Sequence, residues 1–193
     1  MPFDAVTLHS VVYELNKELS GGRIDRITQP ESLDIVLWIR TPAQTNAKLL
    51  LSARADCPRI HLTDTARTSP AVPPMLCNLL RRHMLNGRIL SVSQQGMERI
   101  VSIDIEASDE IGDLHKKRLI IEIMGRHSNI IAVNENGIII DSAKHVGVSM
   151  SRIRQVLPGL DRNQIRVLMR ELRAEGRVFS EGTTSATRWY ASK

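Results

Sequence analysis

The chain has 193 residues and a mass of 21.7 kDa, enough for one ordinary domain plus a small appendage, and its 42% apolar content can fill a core. A charged share of 24% excludes wholesale disorder, and an aromatic share of 3% leaves the core to Ile, Leu, Val and Met. The net charge of +5 favours polyanionic partners, and the surplus is concentrated from Leu160 onward, where seven Lys and Arg face four Asp and Glu.

Apolar residues at helical spacing, Leu8, Val11, Val12, Leu15 and Leu19, predict a helix over Thr7–Ser20, stopped by Gly21-Gly22. Short strands are expected at Arg23–Gln29, Asp34–Arg40, Lys48–Ala53 and Arg59–Thr63, an antiparallel meander and not a βαβ repeat. Asp64–Pro74 reads as loop. Pro73-Pro74 opens a helix over Met75–Leu85, with Met75, Leu79 and Leu80 expected to face inward. Strands follow at Arg88–Gln95, Glu98–Glu106 and Lys117–Met124, the second alternating its Val101, Ile103 and Ile105 toward a core. Asn129–Val133, a turn over Asn134–Gly137 and Ile138–Asp141 form a hairpin. The expected fold class is α+β with mostly antiparallel sheet.

After Leu157-Pro158-Gly159 the texture changes. Asp161 is placed to cap a helix running to about Glu175, with Ile165, Leu168, Met169 and Leu172 on one face. Arg177–Phe179 and Thr187–Tyr190 then fit two strands around a turn centred on Gly182, the back half of a winged-helix pattern. The division expected is residues 1–159 as one domain and 160–193 as an appended tail.

No apolar run approaches the roughly 18 residues of a membrane span. The opening Met-Pro-Phe-Asp-Ala-Val also lacks a signal peptide's pattern, so the expected location is cytoplasmic with no membrane partner. Cys57 and Cys77 have no second ligand at metal spacing, and both are expected to be small buried hydrophobes. No cofactor, metal or small-molecule substrate is implied.

The most unusual stretch is Glu122-Ile123-Met124-Gly125-Arg126-His127-Ser128-Asn129, a strand-to-strand connection crowded with polar groups. Arg126, His127, Ser128 and Asn129 carry donors suited to phosphate, ribose or base edges. The same residues also fit a polar turn held by its own hydrogen bonds. Glu98-Arg99, expected to open a strand, fits a pair that reads RNA bidentately, although on the residues alone a surface salt bridge is the commoner use of such a pair. Arg81-Arg82-His83 fits a solvated helix face or a phosphate contact.

Many short segments, in order, resemble the N-terminal domain of the NFACT family, bacterial ribosome quality-control factors also described as fibronectin-binding proteins. They include Gly21-Gly22-Arg23-Ile24, Gln29-Pro30, Arg59-Ile60-His61-Leu62-Thr63, Pro73-Pro74-Met75-Leu76-Cys77, Leu79-Leu80-Arg81-Arg82-His83, Glu110-Ile111-Gly112-Asp113, Val156-Leu157-Pro158-Gly159 and the Glu122–Asn129 octapeptide. The resemblance implies an RNA-binding domain that grips tRNA, alanyl-tRNA in bacteria, on a large ribosomal subunit obstructed by peptidyl-tRNA. It supports template-free C-terminal alanine tailing, while the ribosome's own centre makes the bonds, so the chain is expected not to be an enzyme.

Two motifs of the family map onto Glu98-Arg99 and Glu122-Ile123-Met124. In the first, Glu98 stands where the family has Asp, reaching one methylene further and implying a weaker or repositioned contact. The resemblance also implies a fold similar to formamidopyrimidine-type DNA glycosylases. The tail from Leu160 does not resemble the family's continuation into helix–hairpin–helix units and a coiled coil, so a fragment, truncation or fusion is expected.

Three alternatives remain distinct. A DNA glycosylase would use the Pro2 amine as nucleophile, but Phe3 stands where that signature has Glu. A DNA-binding tail would use Arg166, Arg170, Arg173, Arg177 and Arg188. An extracellular adhesin would need an export signal. RNA contact through Glu98, Arg99, Glu122, Ile123, Met124, Arg126, His127, Ser128 and Asn129 is the reading the residues support best.

Overall fold

The computed structural model describes residues 4–65, 68–109, 112–144, 148–149, 159, 161–181 and 188–191. Pro2, Phe3, Glu110, Ile111, Val156, Leu157, Pro158, Gly182 and Thr187, which figured in the expectations above, lie outside the described residues. The chain divides into two compact units, residues 1–144 and 145–193.

The first unit opens with α1 (Ala5–Leu19), slightly earlier than the Thr7 start that the apolar pattern alone suggests. The reason is Asp4, whose carboxylate accepts from Thr7 N at 2.7 Å and caps the helix. That hydrogen bond also holds the Asp4 carboxyl below its ordinary range. Leu8, Val12, Leu15 and Leu19 form the buried stripe. The chain then runs through β1 (Arg23–Glu31), β2 (Asp34–Arg40), β3 (Asn46–Ser52) and β4 (Arg59–Leu62), a meander of antiparallel pairs. The second helix, α2 (Met75–Met84), precedes β5 (Arg88–Gln94), β6 (Ile100–Ser108), β7 (Leu114–Glu122), β8 (Asn129–Val133) and β9 (Ile139–Ser142).

All nine strands join one sheet in the order β4-β3-β2-β1-β5-β6-β7-β8-β9, so the expected α+β class with antiparallel sheet is what forms. Alternation explains the core. In β6 the inward Val101, Ile103, Ile105 and Ala107 are buried while their neighbours on the other face are half-buried. Each fully buried Leu or Ile contributes roughly 1.5–3 kcal/mol, and Leu8, Ile24, Leu49, Leu80, Ile105 and Ile121 all belong to one continuous cluster.

The join between β1 and β5 is the one place where consecutive pairing breaks, and two glycines make it possible. Gly21 N donates to Ile89 O, Ile89 N to Gly22 O, and Ile24 N to Gly87 O, at 2.8, 2.8 and 2.9 Å. A Cβ on Gly22 would stand 2.9 Å from Ile39 Cγ2, and one on Gly87 would stand 2.6 Å from Ile105 Cγ2. Only a hydrogen fits at either position.

Several expectations need correcting. Met75 is 45% exposed, because the buried stripe of α2 is Leu76, Cys77, Leu80 and Met84 and the helix phase turns its first residue outward. Cys57 is exposed, in the connection between β3 and β4; only Cys77 is buried, and burial raises its thiol pKa. Glu98 and Arg99 lie in the β5–β6 turn and not in a strand. Met124 falls beyond β7, which begins three residues earlier than expected. Arg81 is no solvated cation: its Nε donates to Ile27 O at 2.9 Å and ties α2 to β1. Lys117 does the same on the other side, with its buried Nζ donating to His83 O at 2.9 Å in the last turn of α2.

In the second unit, α3 (Arg162–Ala174) starts at a capping box in which Asp161 and Gln164 satisfy each other's backbone N–H groups. Ile165 and Met169 are buried, Leu168 and Leu172 half-buried, and Gly176 at φ +71° follows the helix end. The strands β11 (Val178–Glu181) and β12 (Arg188–Ala191) pair antiparallel as anticipated. A third strand, β10 (Val148–Ser149), pairs with β12 and was not foreseen: two residues carry no periodicity.

Candidate nucleic-acid interface

The β5–β6 turn and the β7–β8 connection are separated in sequence and adjacent in space. Antiparallel register sets Ile100 opposite Glu122 and Glu122 opposite Asn129. One residue beyond, Ile123 N donates to Arg99 O at 2.8 Å, so the turn bearing Glu98-Arg99 is bonded directly to the connection. The turn is tight because Gly96 adopts φ +55° and Glu98 N donates to Gln95 O at 3.0 Å. The Gln94 side chain locks it in place. Its Nε2 donates to Glu98 O at 2.8 Å and to Ala5 O at 3.1 Å, fastening the turn to the first residue of α1.

The connection itself folds as a single 3-10 turn, Gly125–His127. Gly125 has φ +58°, and a Cβ there would lie 4.0 Å from Ala55 O, so the segment between β3 and β4 lies alongside. Met124 N donates to Ser128 Oγ at 2.8 Å, and Ser128 N donates to Gly125 O at 3.0 Å. Ser128 is thus a brace inside the loop, fully buried at 0% exposure. Ile123 is buried in the core, and Asn129 is buried at the start of β8, where its Oδ1 accepts from Ile130 N at 2.9 Å. These three residues build the frame; burial removes them from the contact surface that the sequence suggested.

What faces solvent is a smaller set. Glu98, Arg99, Arg126 and His127 are exposed, with Glu122 and Met124 half-buried between them. Arg126 Nε donates to His127 Nε2 at 3.0 Å, which leaves the two terminal nitrogens of the guanidinium without a protein partner among the described residues. Lys144, which sequence reasoning missed, reaches the same loop: its Nζ donates to Arg126 O at 3.2 Å. Its only signal in the sequence is its place just past a hairpin strand that pairs with Asn129–Val133.

Some cations of the first unit are neutralised by carboxylates. Arg40 is paired with Asp25, Arg54 with Glu31 and Asp56, and Arg118 with Asp104. Arg99, Arg126 and Lys144 form no ion pair among the described residues. Three unneutralised cations on adjoining backbone, with donors turned to water, can accept a polyanion at low desolvation cost.

The opposite end of β6 and β7 carries different chemistry. Asp109, Asp113 and His115 could offer ligand atoms within 4.8 Å of one another. Both ring nitrogens of His115 are already engaged, Nδ1 with Glu135 Oε2 at 2.6 Å and Nε2 with Asp109 Oδ2 at 3.1 Å. Donating from both nitrogens requires the imidazolium, and the Glu135 bond, opposed by partial desolvation and aided by Asp109, raises the His115 pKa above about 6.5. The clamp's contribution to stability is therefore fully present below pH ~6.5 and is lost as pH rises through the raised folded value. Urea unfolding at pH 6 and pH 8 is expected to show the loss, and His115→Gln should flatten it; an unchanged pH dependence in that variant would assign the effect elsewhere.

Together, an antiparallel sheet, two flanking helices and a braced loop with exposed cations at one end define an α+β domain. The chain belongs to the NFACT family: the family model for NFACT N-terminal and middle domains matches residues 4–161. It is similar to the Rqc2 homolog RqcH of Bacillus subtilis (strain 168), with 44% identity over 162 residues, covering 83% of this chain and 28% of that protein. The chain thus spans less than a third of that relative's length.

Among solved structures it resembles the N-terminal domain of fibronectin-binding protein PavA from Streptococcus pneumoniae, with TM-score 0.74, 42% identity, and coverage of 76% of this chain and 55% of that one. It also resembles the fibrinogen binding protein from Staphylococcus aureus, with TM-score 0.70, 25% identity, and coverage of 100% and 91%. No helix among the described residues is long and apolar enough to cross a membrane.

Proposed function

We propose that this chain is the tRNA-gripping domain of a ribosome quality-control factor, acting in the cytoplasm on large ribosomal subunits obstructed by peptidyl-tRNA. In this reading it supports template-free alanine tailing of the stalled chain and makes no covalent bond itself. The peptidyl-transferase centre of the ribosome does the chemistry, and the domain supplies position. Glu98, Arg99, Glu122, Met124, Arg126 and His127 meet the RNA, while Ile123 and Ser128 hold the loop that presents them and Asn129 ties the start of β8 to Lys144. Residues 160–193 enter as an appended element to which the reading assigns no RNA contact.

The observation that carries the reading is the 2.8 Å hydrogen bond from Ile123 N to Arg99 O, which joins two motifs distant in sequence, each bearing a cation with no ion pair among the described residues. What supports the ribosomal setting is membership of the NFACT family and the 44% identity to an Rqc2 homolog. Glu98 keeps a carboxylate beside Arg99, able to accept from a base amine while the guanidinium takes phosphate or guanine. A glycosylase-like activity has no observation behind it, since Pro2 lies outside the described residues.

Co-sedimentation tests the reading. The chain is expected to pellet with large subunits carrying peptidyl-tRNA and to stay in the supernatant with vacant subunits. Equal recovery in the two supernatants would overturn it.

A further inference from the structure

Lys144 belongs to neither motif, yet more of its groups are held than the position of a half-exposed lysine requires. The buried amide of Asn129 pairs with both backbone groups of Lys144, Nδ2 donating to its carbonyl at 3.0 Å and Oδ1 accepting from its N–H at 2.8 Å. The Oγ of Ser142 donates to the same carbonyl at 3.0 Å, and Ala143 N donates to Ile130 O at 2.8 Å. The segment leaving β9 is therefore strapped to the start of β8 by one side chain that imitates a strand partner. Asn129 is 6% exposed, so this strap is shielded from competing water.

We propose that Lys144 is a third phosphate-contacting cation of the RNA-facing rim, and that Asn129 is the residue that positions it. The identity of the ligand rests on the tRNA reading above; the placement of the cation does not. Lysine is a point charge on a flexible stem, and fixing its backbone confines where that charge can go. One of its three ammonium donors goes to Arg126 O, which leaves two for a phosphodiester oxygen. The arrangement puts an ammonium against the loop that carries the Arg126 guanidinium with no carboxylate pairing either among the described residues. Like charges gathered in this way repel until an anion arrives, which makes the rim a poor internal structure and a good receptor. Lys117 shows the contrast: its Nζ is buried and spent on the end of α2.

Binding of purified bulk tRNA to the full chain, followed over a salt series from roughly 50 to 200 mM, separates this role from a structural one. Lys144→Met keeps the stem and removes the charge. It is expected to weaken binding about threefold to tenfold and to lower the slope of log affinity against log salt by about 1. Lys144→Arg should restore the slope. Asn129→Ala should cost the same as Lys144→Met, and the double variant should cost no more than either, because the amide acts through the lysine.

Melting curves taken alongside identify any Asn129→Ala protein that has lost its hairpin. The Lys144 pair then carries the test alone. An unchanged slope in Lys144→Met, with slopes reduced in Arg99→Ala and Arg126→Ala, overturns the inference and leaves the tRNA reading standing. No binding by the wild-type chain, or slopes unchanged in all three, brings down that reading and this one together.

Discussion

Replacing Arg99 and Arg126 together by alanine is expected to lower tRNA affinity about 100-fold at low salt. A hydrogen-bonded charge contact is worth roughly 1.5–3 kcal/mol, and each 1.4 kcal/mol is about a factor of ten. The two residues sit on adjoining backbone, so their losses will overlap somewhat, and a summed value is an upper bound. The salt slope should fall by about 2, one counterion for each phosphate released. Arg40 supplies the control. Its guanidinium is already paired with Asp25 at 2.8 Å, and Arg40→Ala should leave both affinity and slope alone. If the double variant matched the control, the exposed cations at this end of the sheet would not be RNA contacts.

The largest expected effect on stability is Gly87→Ala. The added methyl would stand 2.6 Å from Ile105 Cγ2, 2.9 Å from Met84 O and 3.1 Å from Ala107 Cβ. Two of these are rooted in β6 and one is helix backbone, so none can swing away as a flexible side chain would. Overpacking of this kind costs about 1–3 kcal/mol, and here the upper end applies because Gly87 also accepts from Ile24 N in the β1–β5 join. A fall in Tm of roughly 5–10 °C follows for a chain of this size. Gly137→Ala offers a comparison. Nothing lies within 4 Å of its would-be Cβ, and only its φ of +74° opposes the change. A Gly87 variant that melted with or above the Gly137 variant would refute the steric account.

Much of the architecture was legible because it follows from periodicity. The Val101, Ile103 and Ile105 alternation, the α1 stripe and the Asp161 cap each rest on neighbours within a few residues. The candidate interface was legible as two motifs, but their meeting was not. Nothing local to Arg99 announces that its carbonyl accepts from Ile123; that depends on the register of the whole β6–β7 hairpin. Composition also overstated the contact set. Ser128 and Asn129 carry groups that look suited to RNA, and both turn inward because backbone claims them first: Ser128 Oγ accepts from Met124 N and Asn129 Nδ2 donates to Lys144 O. Met75 and Cys57 failed for the reverse reason. An apolar side chain is not bound to be buried, and both sit where the chain enters or leaves an element. The Trp38 ring, with Lys48 Nζ 4.6 Å and Arg26 Cζ 5.4 Å from its centre, escaped notice because its partners come from flanking strands.

The glycine join has a bearing on how the chain reaches its native state. Strands β1 to β4 zip up through neighbouring hairpins, and so do β5 to β9. Bringing Gly22 against Ile89 instead demands closure across more than sixty residues, with an entropic penalty that no nearby turn reduces. Long-range pairing of this sort slows the search. Docking of the two half-sheets through that seam is thus the natural late barrier, and a bulkier residue there should retard refolding as well as lower the melting point.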